Sequence, residues 1–243
     1  MIALIDADSL LYKVGFALED SIDWDNNDNY SYYSNLQQQF SSIKSTIDSI
    51  LMATGCDDYE LWLTGKGNFR SSNPLTYKAN REGMRKPTDF SELFEKVVKN
   101  LKANVAEGME ADDMVVYLKT TYPEDYVLCA IDKDVLYQTE GSHYNYGKDT
   151  VVEVTADEAK WFAYYQTLAG DVVDGYSGVP GIGDKKARAI LADITDERML
   201  WCKVLLTYRS KGLRRSDAIN TMRLANMKQY NGSEIVLWNP PKK

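Results

Sequence analysis

The sequence has few of the residues that several large classes of catalytic site require. A single histidine, His143, among 243 residues argues against a histidine-based triad and against a zinc site. The three cysteines lie far apart without metal-binding spacing, which indicates reduced cytosolic thiols. No apolar run approaches the roughly 20 residues that cross a membrane, and the start, MIALIDADSLLYK, lacks the basic region of a signal peptide. These deficits predict a cytoplasmic protein that uses neither thiol nor imidazole chemistry.

Basic residues are also outnumbered, with 28 Lys and Arg against 36 Asp and Glu and a net charge of −8. Taken alone, this balance argues weakly against nucleic-acid binding, because basic patches are its usual footprint. The distribution changes that interpretation. Acidic residues cluster beside apolar strands, whereas Lys and Arg gather at 66–86, 185–188 and 203–215. Separate acidic and basic regions therefore matter more than the total.

Short apolar runs alternate with stretches of helical periodicity. Strands are predicted at 2–5, 59–64 and 126–131, and helices at 36–54, 89–103 and 111–122. This alternation predicts an α/β fold with a mainly parallel central sheet flanked by helices. The Asn- and Tyr-rich stretch 23–35 is predicted to be a surface loop, and 65–87 a long exposed segment. From about residue 161 the pattern is helical, so we predict an α/β domain over 1–160 and a helical region over 161–243.

Carboxylates follow the ends of predicted strands and the starts of predicted helices. They are Asp6, Glu110, Asp112, Asp113, Asp132, Asp134, Asp171 and Asp174. Spacings of three predict that Asp171 and Asp174 share one helix face, as do Glu110 and Asp113. Such clusters repel one another unless divalent cations lie between them, and all-oxygen donors suit Mg²⁺ or Mn²⁺. Any one of these acids could instead be a helix cap or a solvated charge. Four groups at element ends favour a metal site, and two ions could clamp the oxygens of a phosphodiester.

The segment GVPGIGDKKARAI, residues 178–190, is the main glycine-rich element. It lacks the P-loop pattern and follows no predicted strand, so it is interpreted as a helix, a tight turn and a second helix within 168–191. Backbone N–H groups at the start of the second helix could bind a phosphate. The alternative is an ordinary capped loop. The residues assigned to backbone binding of a duplex are Gly178, Gly181, Gly183, Lys185, Lys186 and Arg188.

These motifs together resemble the 5′→3′ exonuclease and flap endonuclease family in its compact phage-type form. The motifs are GDVVD before GVPGIG, EGMEADD before a helix and IDKD after a strand, in the family's order. The resemblance implies a PIN/FEN-like fold and a monomeric, divalent-metal-dependent 5′ nuclease with no membrane association. Its substrate would be DNA with a duplex and a 5′ single-stranded or flap end, in replication or repair. For a phage protein, the location would be the host cytoplasm.

The resemblance also implies roles for individual residues. The eight carboxylates match the family's ligands for two metal ions. YKANR resembles the base of the helical arch, about 65–105, which gives Lys78 and Arg81 a catalytic, phosphate-steering role. Tyr77 there could stack on a base or simply pack against the arch base. The glycine turn resembles a helix-hairpin-helix element, which grips duplex DNA and can bind K⁺ through carbonyl oxygens.

One position departs from the family pattern. An Asp usually follows the second core strand, where this chain has Thr64 and Gly65. The loss could weaken the first metal site, or Asp8 could compensate for it. Two other functions therefore stay open: RNase H-like removal of RNA primers from an RNA–DNA hybrid, and structure-specific DNA binding with an impaired active site.

Overall fold

A six-stranded sheet forms the centre of the protein. The computed structural model describes residues 1–24 and 29–242. The strands are β1 (Ile2–Asp6), β2 (Glu19–Asp23), β3 (Tyr30–Ser34), β4 (Asp58–Thr64), β5 (Asn104–Ala106), β6 (Tyr126–Cys129), β7 (Gly141–Asn145), β8 (Thr150–Val154), β9 (Gly170–Asp171) and β10 (Tyr176–Ser177). The sheet has the order β5-β4-β1-β6-β7-β8, and only β8 is antiparallel to its neighbour. The predicted mainly parallel sheet is confirmed.

Helices cover both faces of this sheet. They are α1 (Ala7–Ala17), α2 (Leu36–Thr54), α3 (Phe90–Leu101), α4 (Ala111–Thr121), α5 (Lys133–Leu136), α6 (Ala156–Ala169), α7 (Asp184–Leu191), α8 (Glu197–Ser210) and α9 (Arg215–Ala225). Alternation along β1 sends Ala3 and Ile5 into the core formed with α1 to α3, and Leu4 into the core formed with α4 and α5. The predicted α/β fold, with helices on both sides of the sheet, is therefore confirmed.

The chain from α6 to α9 is mainly helical, with the short strands β9 and β10 between α6 and α7. Helices α6 to α9 enclose a separate apolar core that includes Leu168, Leu200, Val204 and Met222. The domain boundary predicted at residue 160 falls inside α6. In the described part of the chain, no helix is both long enough and apolar enough to cross a membrane.

The stretch 23–35, predicted to be a surface loop, is only partly a loop. Strands β2 and β3 form an antiparallel hairpin in which Glu19 pairs with Ser34 and Asp23 with Tyr30. The loop prediction was wrong for these strand residues, because the tyrosines of β3 favour an extended conformation. Residues 25–28 of the predicted loop lie outside the described residues.

Candidate active site

The carboxyl ends of two adjacent strands bring Asp6 and Asp8 to one edge of the sheet. Asp6 ends β1 and caps α1, where it accepts hydrogen bonds from the Asp8 backbone N–H (3.2 Å) and the Ser9 hydroxyl (3.0 Å). The Asp8 carboxylate accepts the backbone N–H of Thr64 at the end of β4, at 3.1 and 3.2 Å. Asp8 therefore lies beside the position where the family pattern predicts a strand-end Asp.

Gly65 leaves no room for a side chain at that position. A Cβ built there would lie 2.6 Å from Glu107 Oε1, 2.7 Å from Val105 Cγ1 and 2.8 Å from the carbonyl oxygen of Ala106. The Gly65 N–H also donates to that Ala106 carbonyl at 2.8 Å. The close pairing with β5 thus explains why glycine stands here, and Asp8 supplies a carboxylate next to it.

The start of α4 supplies Glu110, Asp112 and Asp113. Glu110 is the N-cap rather than part of the helix, and the Asp113 carboxylate accepts its backbone N–H at 3.1 Å. Asp113 also binds the buried Arg70 through both oxygens, at 2.6 and 2.7 Å. If Asp113 bound a metal ion, as the sequence predicts, the metal would compete with Arg70 for the same carboxylate oxygens.

Arg70 is a site residue that the sequence analysis missed. It is 3% exposed and donates to the carbonyl oxygens of Leu224 (3.2 Å) and Asn226 (3.1 Å) in addition to Asp113. Burial alone would lower its pKa, but the Asp113 charge and hydrogen bonds outweigh burial and raise it. A single Arg in the polar stretch GNFRSS gives no sequence signal of this role.

The strand-end pair after β6 is Asp132 and Asp134. Asp132 caps α5 and accepts the Asp134 backbone N–H at 2.8 Å. Asp134 is buried, and its Oδ1 has no hydrogen-bond partner among the described residues, with Lys133 Nζ 3.9 Å away. Burial, together with the Asp132 and Asp171 charges, raises the pKa of Asp134 to about 8.

Asp171 and Asp174 do not lie on a helix, so the predicted shared helix face was wrong. Helix α6 ends at Ala169, its C-cap Gly170 has a φ of +73°, and the chain then turns back as the short β9–β10 pair. The Asp171 carboxylate accepts the N–H groups of Val173 (2.7 Å) and Asp174 (3.1 Å), which stabilises a turn in place of a helix.

The predicted arch-base residues contact the carboxylates directly. Lys78 Nζ lies 2.5 Å from Glu110 Oε1 and 3.6 Å from Asp174 Oδ1. Arg81 binds the same Asp174 oxygen at 2.8 Å. Burial would raise the pKa of Glu110, but the positive charges of Lys78 and Arg70 outweigh it and lower that pKa. Cations and carboxylates therefore form one charge network.

Tyr77 is held by packing in this structure. Its hydroxyl donates to Glu110 Oε2 at 2.6 Å, and its ring packs beside Tyr176, Leu224 and Ala225. This geometry supports the packing interpretation of Tyr77. Base stacking by this ring remains a prediction.

A cavity of about 390 Å³ opens where these elements meet. Its polar lining comprises Asp8, Ser9, Tyr12, Thr64, Lys78, Arg81, Lys86, Glu110, Asp112 and Asp132. Asp6, Asp113, Asp134, Asp171 and Asp174 lie outside that lining. Burial, with the charge of Asp8, raises the pKa of Asp6 to about 7, and burial also raises the pKa of Asp112. The structure thus brings together carboxylates from α1, α4 and the end of β6.

The donor set fits a hard divalent cation. The buried Asp134 oxygen without a partner and the raised pKa values of Asp6, Asp112 and Asp134 mark carboxylates that lack positive charge. Within residues 1–24 and 29–242, no three Asp, Glu, His or Cys side chains converge closely enough to hold an ion as they stand. Mutual repulsion keeps carboxylates apart when no cation lies between them, and the Asp134 Oδ1 without a hydrogen-bond partner among the described residues is an oxygen donor of the kind that suits Mg²⁺ or Mn²⁺.

The glycine element has the predicted turn, but the turn directly follows the short strand β10 and leads into α7, whereas the preceding helix α6 has already ended at Ala169. Gly181 has a φ of +76° in the turn, and a Cβ at Gly178 would lie 2.2 Å from the Leu168 carbonyl oxygen, so close packing requires glycine there. Gly183 caps α7 in open space. Of the basic residues, Lys185 is exposed, Lys186 donates to the Gly181 carbonyl at 2.9 Å, and Arg188 binds Asp184. Phosphate binding by this element remains a prediction.

The sheet order, the acidic cavity at its carboxyl edge and the helices α6 to α9 define an α/β fold with a mainly parallel sheet and a helical C-terminal region. Among solved structures, the fold is similar to the bacteriophage T5 flap endonuclease in a complex with DNA and metal ions. The TM-score is 0.70 at 18% identity, over 94% of this chain and 90% of that one. The same values describe the T5 5′-exonuclease with bound zinc ions. At this identity the likeness shows the fold.

In sequence, the chain is similar to phage exonucleases. The exodeoxyribonuclease of Enterobacteria phage T3 is 30% identical over 122 residues, 44% of this chain and 38% of the relative. The exonuclease of Escherichia phage T7 is 23% identical over 210 residues, 68% of this chain and 67% of that protein. No family model matches the chain. The match thus spans well under half of the T3 relative. The predicted resemblance to compact phage-type 5′→3′ exonucleases and flap endonucleases is confirmed.

Proposed function

We propose that the protein is a divalent-metal-dependent, structure-specific 5′ nuclease that hydrolyses DNA phosphodiesters as a 5′→3′ exonuclease, a flap endonuclease or both. The observation that carries this proposal is the cavity in which Asp8, Glu110, Asp112 and Asp132 face Lys78. The names of its relatives, an exodeoxyribonuclease and an exonuclease, support the same chemistry. We place its action in DNA replication or repair, as a monomer in the cytoplasm of a phage-infected host.

Two Mg²⁺ or Mn²⁺ ions fit this proposal. Asp6, Asp8, Glu110, Asp112 and Asp132 would hold one, and Asp134, Asp171 and Asp174 the other, with the raised pKa values of the buried members supporting cation binding. Divalent ions in such sites lower the pKa of water and stabilise negative charge on phosphodiester oxygens.

The basic residues of the chain orient the substrate. Lys78 and Arg81 reach the carboxylate edge from the 65–87 segment, so a phosphate entering the cavity meets two cations. They would stabilise charge that develops on that phosphate during cleavage. Their present pairing with Glu110 and Asp174 keeps both side chains oriented toward the cavity. Duplex DNA would contact Gly183, Lys185 and the rest of the glycine turn, where a K⁺ ion could bind carbonyl oxygens.

A labelled flap substrate tests the function. Wild-type protein is expected to release a 5′ label from a DNA flap with Mg²⁺ and not with EDTA, and Asp171→Ala is expected to abolish release. Asp157→Ala is the matched control, because Asp157 is exposed on α6 and pairs only with Lys160 among the ion pairs of the described residues. Metal-independent release, or equal release by Asp171→Ala, would refute the proposal.

The same assay separates the two alternatives. Tight binding of the flap without cleavage would indicate a DNA-binding protein with an impaired site, which the glycine at position 65 favours. The placement of Asp8 beside Thr64 argues against that impairment. Faster cleavage of a matched RNA–DNA hybrid than of the DNA substrate would indicate RNase H-like primer removal.

A further inference from the structure

Helix α1 carries a stripe of side chains that leads out of the cavity. Asp8, Tyr12 and Phe16 recur every four residues and so lie on one helix face. Tyr12 lines the cavity, and its ring centroid lies 4.7 Å from that of Phe90 and 6.4 Å from that of Phe16. With a rise of 1.5 Å per residue, the stripe spans about 12 Å from carboxylate to outer ring.

The stripe continues onto the β2–β3 hairpin through Arg85. The Arg85 guanidinium lies 5.3 Å from the Phe16 ring centroid and 3.8 Å from that of Tyr32. Glu19 fixes this guanidinium through a 2.7 Å ion pair, and the same carboxylate accepts the N–H and hydroxyl of Thr88. A flat cation is thus held close to two rings. We call Phe16, Arg85 and Tyr32 the stacking track.

The stacking track is exposed. Phe16 is 44% exposed and Tyr32 is 43% exposed, so neither ring is used to fill a core. Exposed rings interleaved with a cation are typical of surfaces that bind unpaired bases, because every base has a face that can stack.

The charges around the stacking track determine whether the phosphates or the bases of a nucleic acid bind to the track. The hairpin strand carries the acidic residues Asp20 and Asp23 in addition to Glu19, and this acidic strand disfavours phosphates. The charge of Arg85 is offset by Glu19. At the cavity end, Lys86 lies over the Phe90 ring, 4.9 Å from its centroid. A strand would therefore place its phosphates near Lys86 and its bases on the rings.

We propose that the stacking track binds the bases of a single-stranded 5′ extension as it leaves the cavity. The proposal deepens the proposed nuclease function by assigning a binding surface to the unpaired part of the substrate, and it takes the direction of the strand from that function. Stacking on rings tolerates any base sequence, which suits a nuclease that acts on structure.

Binding assays with DNA duplexes that carry 5′ extensions of zero to ten nucleotides test the track. Fluorescence anisotropy is measured with Ca²⁺ in place of Mg²⁺, and gels establish that the DNA stays intact. One stacked base contributes about 1–3 kcal/mol, or about 5- to 150-fold in affinity. We expect Tyr32→Ala and Phe16→Ala to weaken binding of the extended duplexes at least about 5-fold and to leave the blunt duplex unchanged.

Tyr33→Ala is the matched control. Tyr33 neighbours Tyr32 on β3, points to the opposite face of the hairpin and is 50% exposed. It is expected to bind every substrate like wild type. Abasic extensions should bind wild-type protein as weakly as normal extensions bind Tyr32→Ala. If Phe16→Ala and Tyr32→Ala both bind the extended duplexes as tightly as wild type, the proposal is overturned, and a protein partner becomes the better explanation of this exposed face. Equal weakening of blunt and extended duplexes would overturn it as well.

The outcome is distinguishable from failure of the nuclease function. A protein that binds extensions through the track but cuts no substrate with Mg²⁺ would refute the nuclease and retain the track. Metal-dependent cleavage without any contribution of Phe16 or Tyr32 to binding would refute the track alone.

Discussion

Replacing Arg70 tests how the candidate site is held together. Arg70 connects the segment after β4 to α4 through Asp113 and to the end of α9 through two carbonyl groups. Methionine has a similar length and keeps the apolar packing. The change Arg70→Met therefore removes the charge and the donors while leaving Asp113 and the two carbonyl oxygens without their partner.

The expected cost follows from burial. Arg70 is 3% exposed and Asp113 is 1% exposed, so water cannot replace the lost contacts without local opening. Breaking a buried pair by removing one partner costs about 3–5 kcal/mol, because it strands the other charge. For a chain of this size, this loss corresponds to a decrease in melting temperature of about 6–20 °C. We expect Arg70→Met to fall in this range.

Chemical denaturation and a double-mutant cycle measure the effect. Arg70→Met combined with Asp113→Asn should be less destabilised than the sum of the two single variants, with a coupling of about 1–3 kcal/mol. Arg198→Met, at an exposed position on α8, is the control and should change stability by no more than about 0.5 kcal/mol. A loss below about 1 kcal/mol for Arg70→Met, or additive single effects, would refute this account of the site.

Three further results are expected from the charged groups. Asp8→Asn should reduce both cleavage and the Mg²⁺-induced rise in melting temperature. Adding Gly65→Asp to this variant should restore neither, because a Cβ at residue 65 has no space. An unchanged Mg²⁺-induced rise in melting temperature in Asp8→Asn would exclude Asp8 from the site. Lys78→Met should slow cleavage about 10²- to 10³-fold if this cation stabilises the reacting phosphate, measured under single-turnover conditions; a normal rate would contradict that role. The Arg85 hydrogen bond lowers the pKa of Glu19 to about 2, so Glu19 stabilises the fold above its ordinary pKa and that stabilisation declines as pH falls from about 4.5 toward 2. Since the Arg85 side chain is 44% exposed, Glu19→Gln should lower the free energy of unfolding by no more than about 1 kcal/mol at pH 7, and melting curves should show that this loss shrinks as the pH falls. Glu92→Gln is the exposed control. A loss that grows as the pH falls would contradict this linkage.

The positions of the strand-end acids could be predicted from local sequence. A buried apolar run that stops at a carboxylate predicts a strand followed by an acid, as in IALID and YVLCAID, although β6 itself ends at Cys129 and Asp132 caps the next helix. The turn at Gly181 could also be predicted, because Pro180 fixes its own φ and Gly181 can adopt the positive φ that a tight turn needs. The helix predicted through Asp171 and Asp174 was wrong because the positive φ of Gly170 and the Asp171 side chain favour a turn.

Tertiary structure alone decided which charges are paired. Arg70 and Asp113 are 43 residues apart in sequence, and Arg70 and Asn226 are 156 apart, so no local pattern could connect them. The approach of Asp8 to Thr64 depends on the pairing of β1 with β4 in the same way. Local sequence was enough to predict β1, β4 and β6, several of the helices and the acids that follow β1 and β6, because these features depend on near neighbours. Burial and ion pairing depend on distant segments, and only the folded chain brings those segments together.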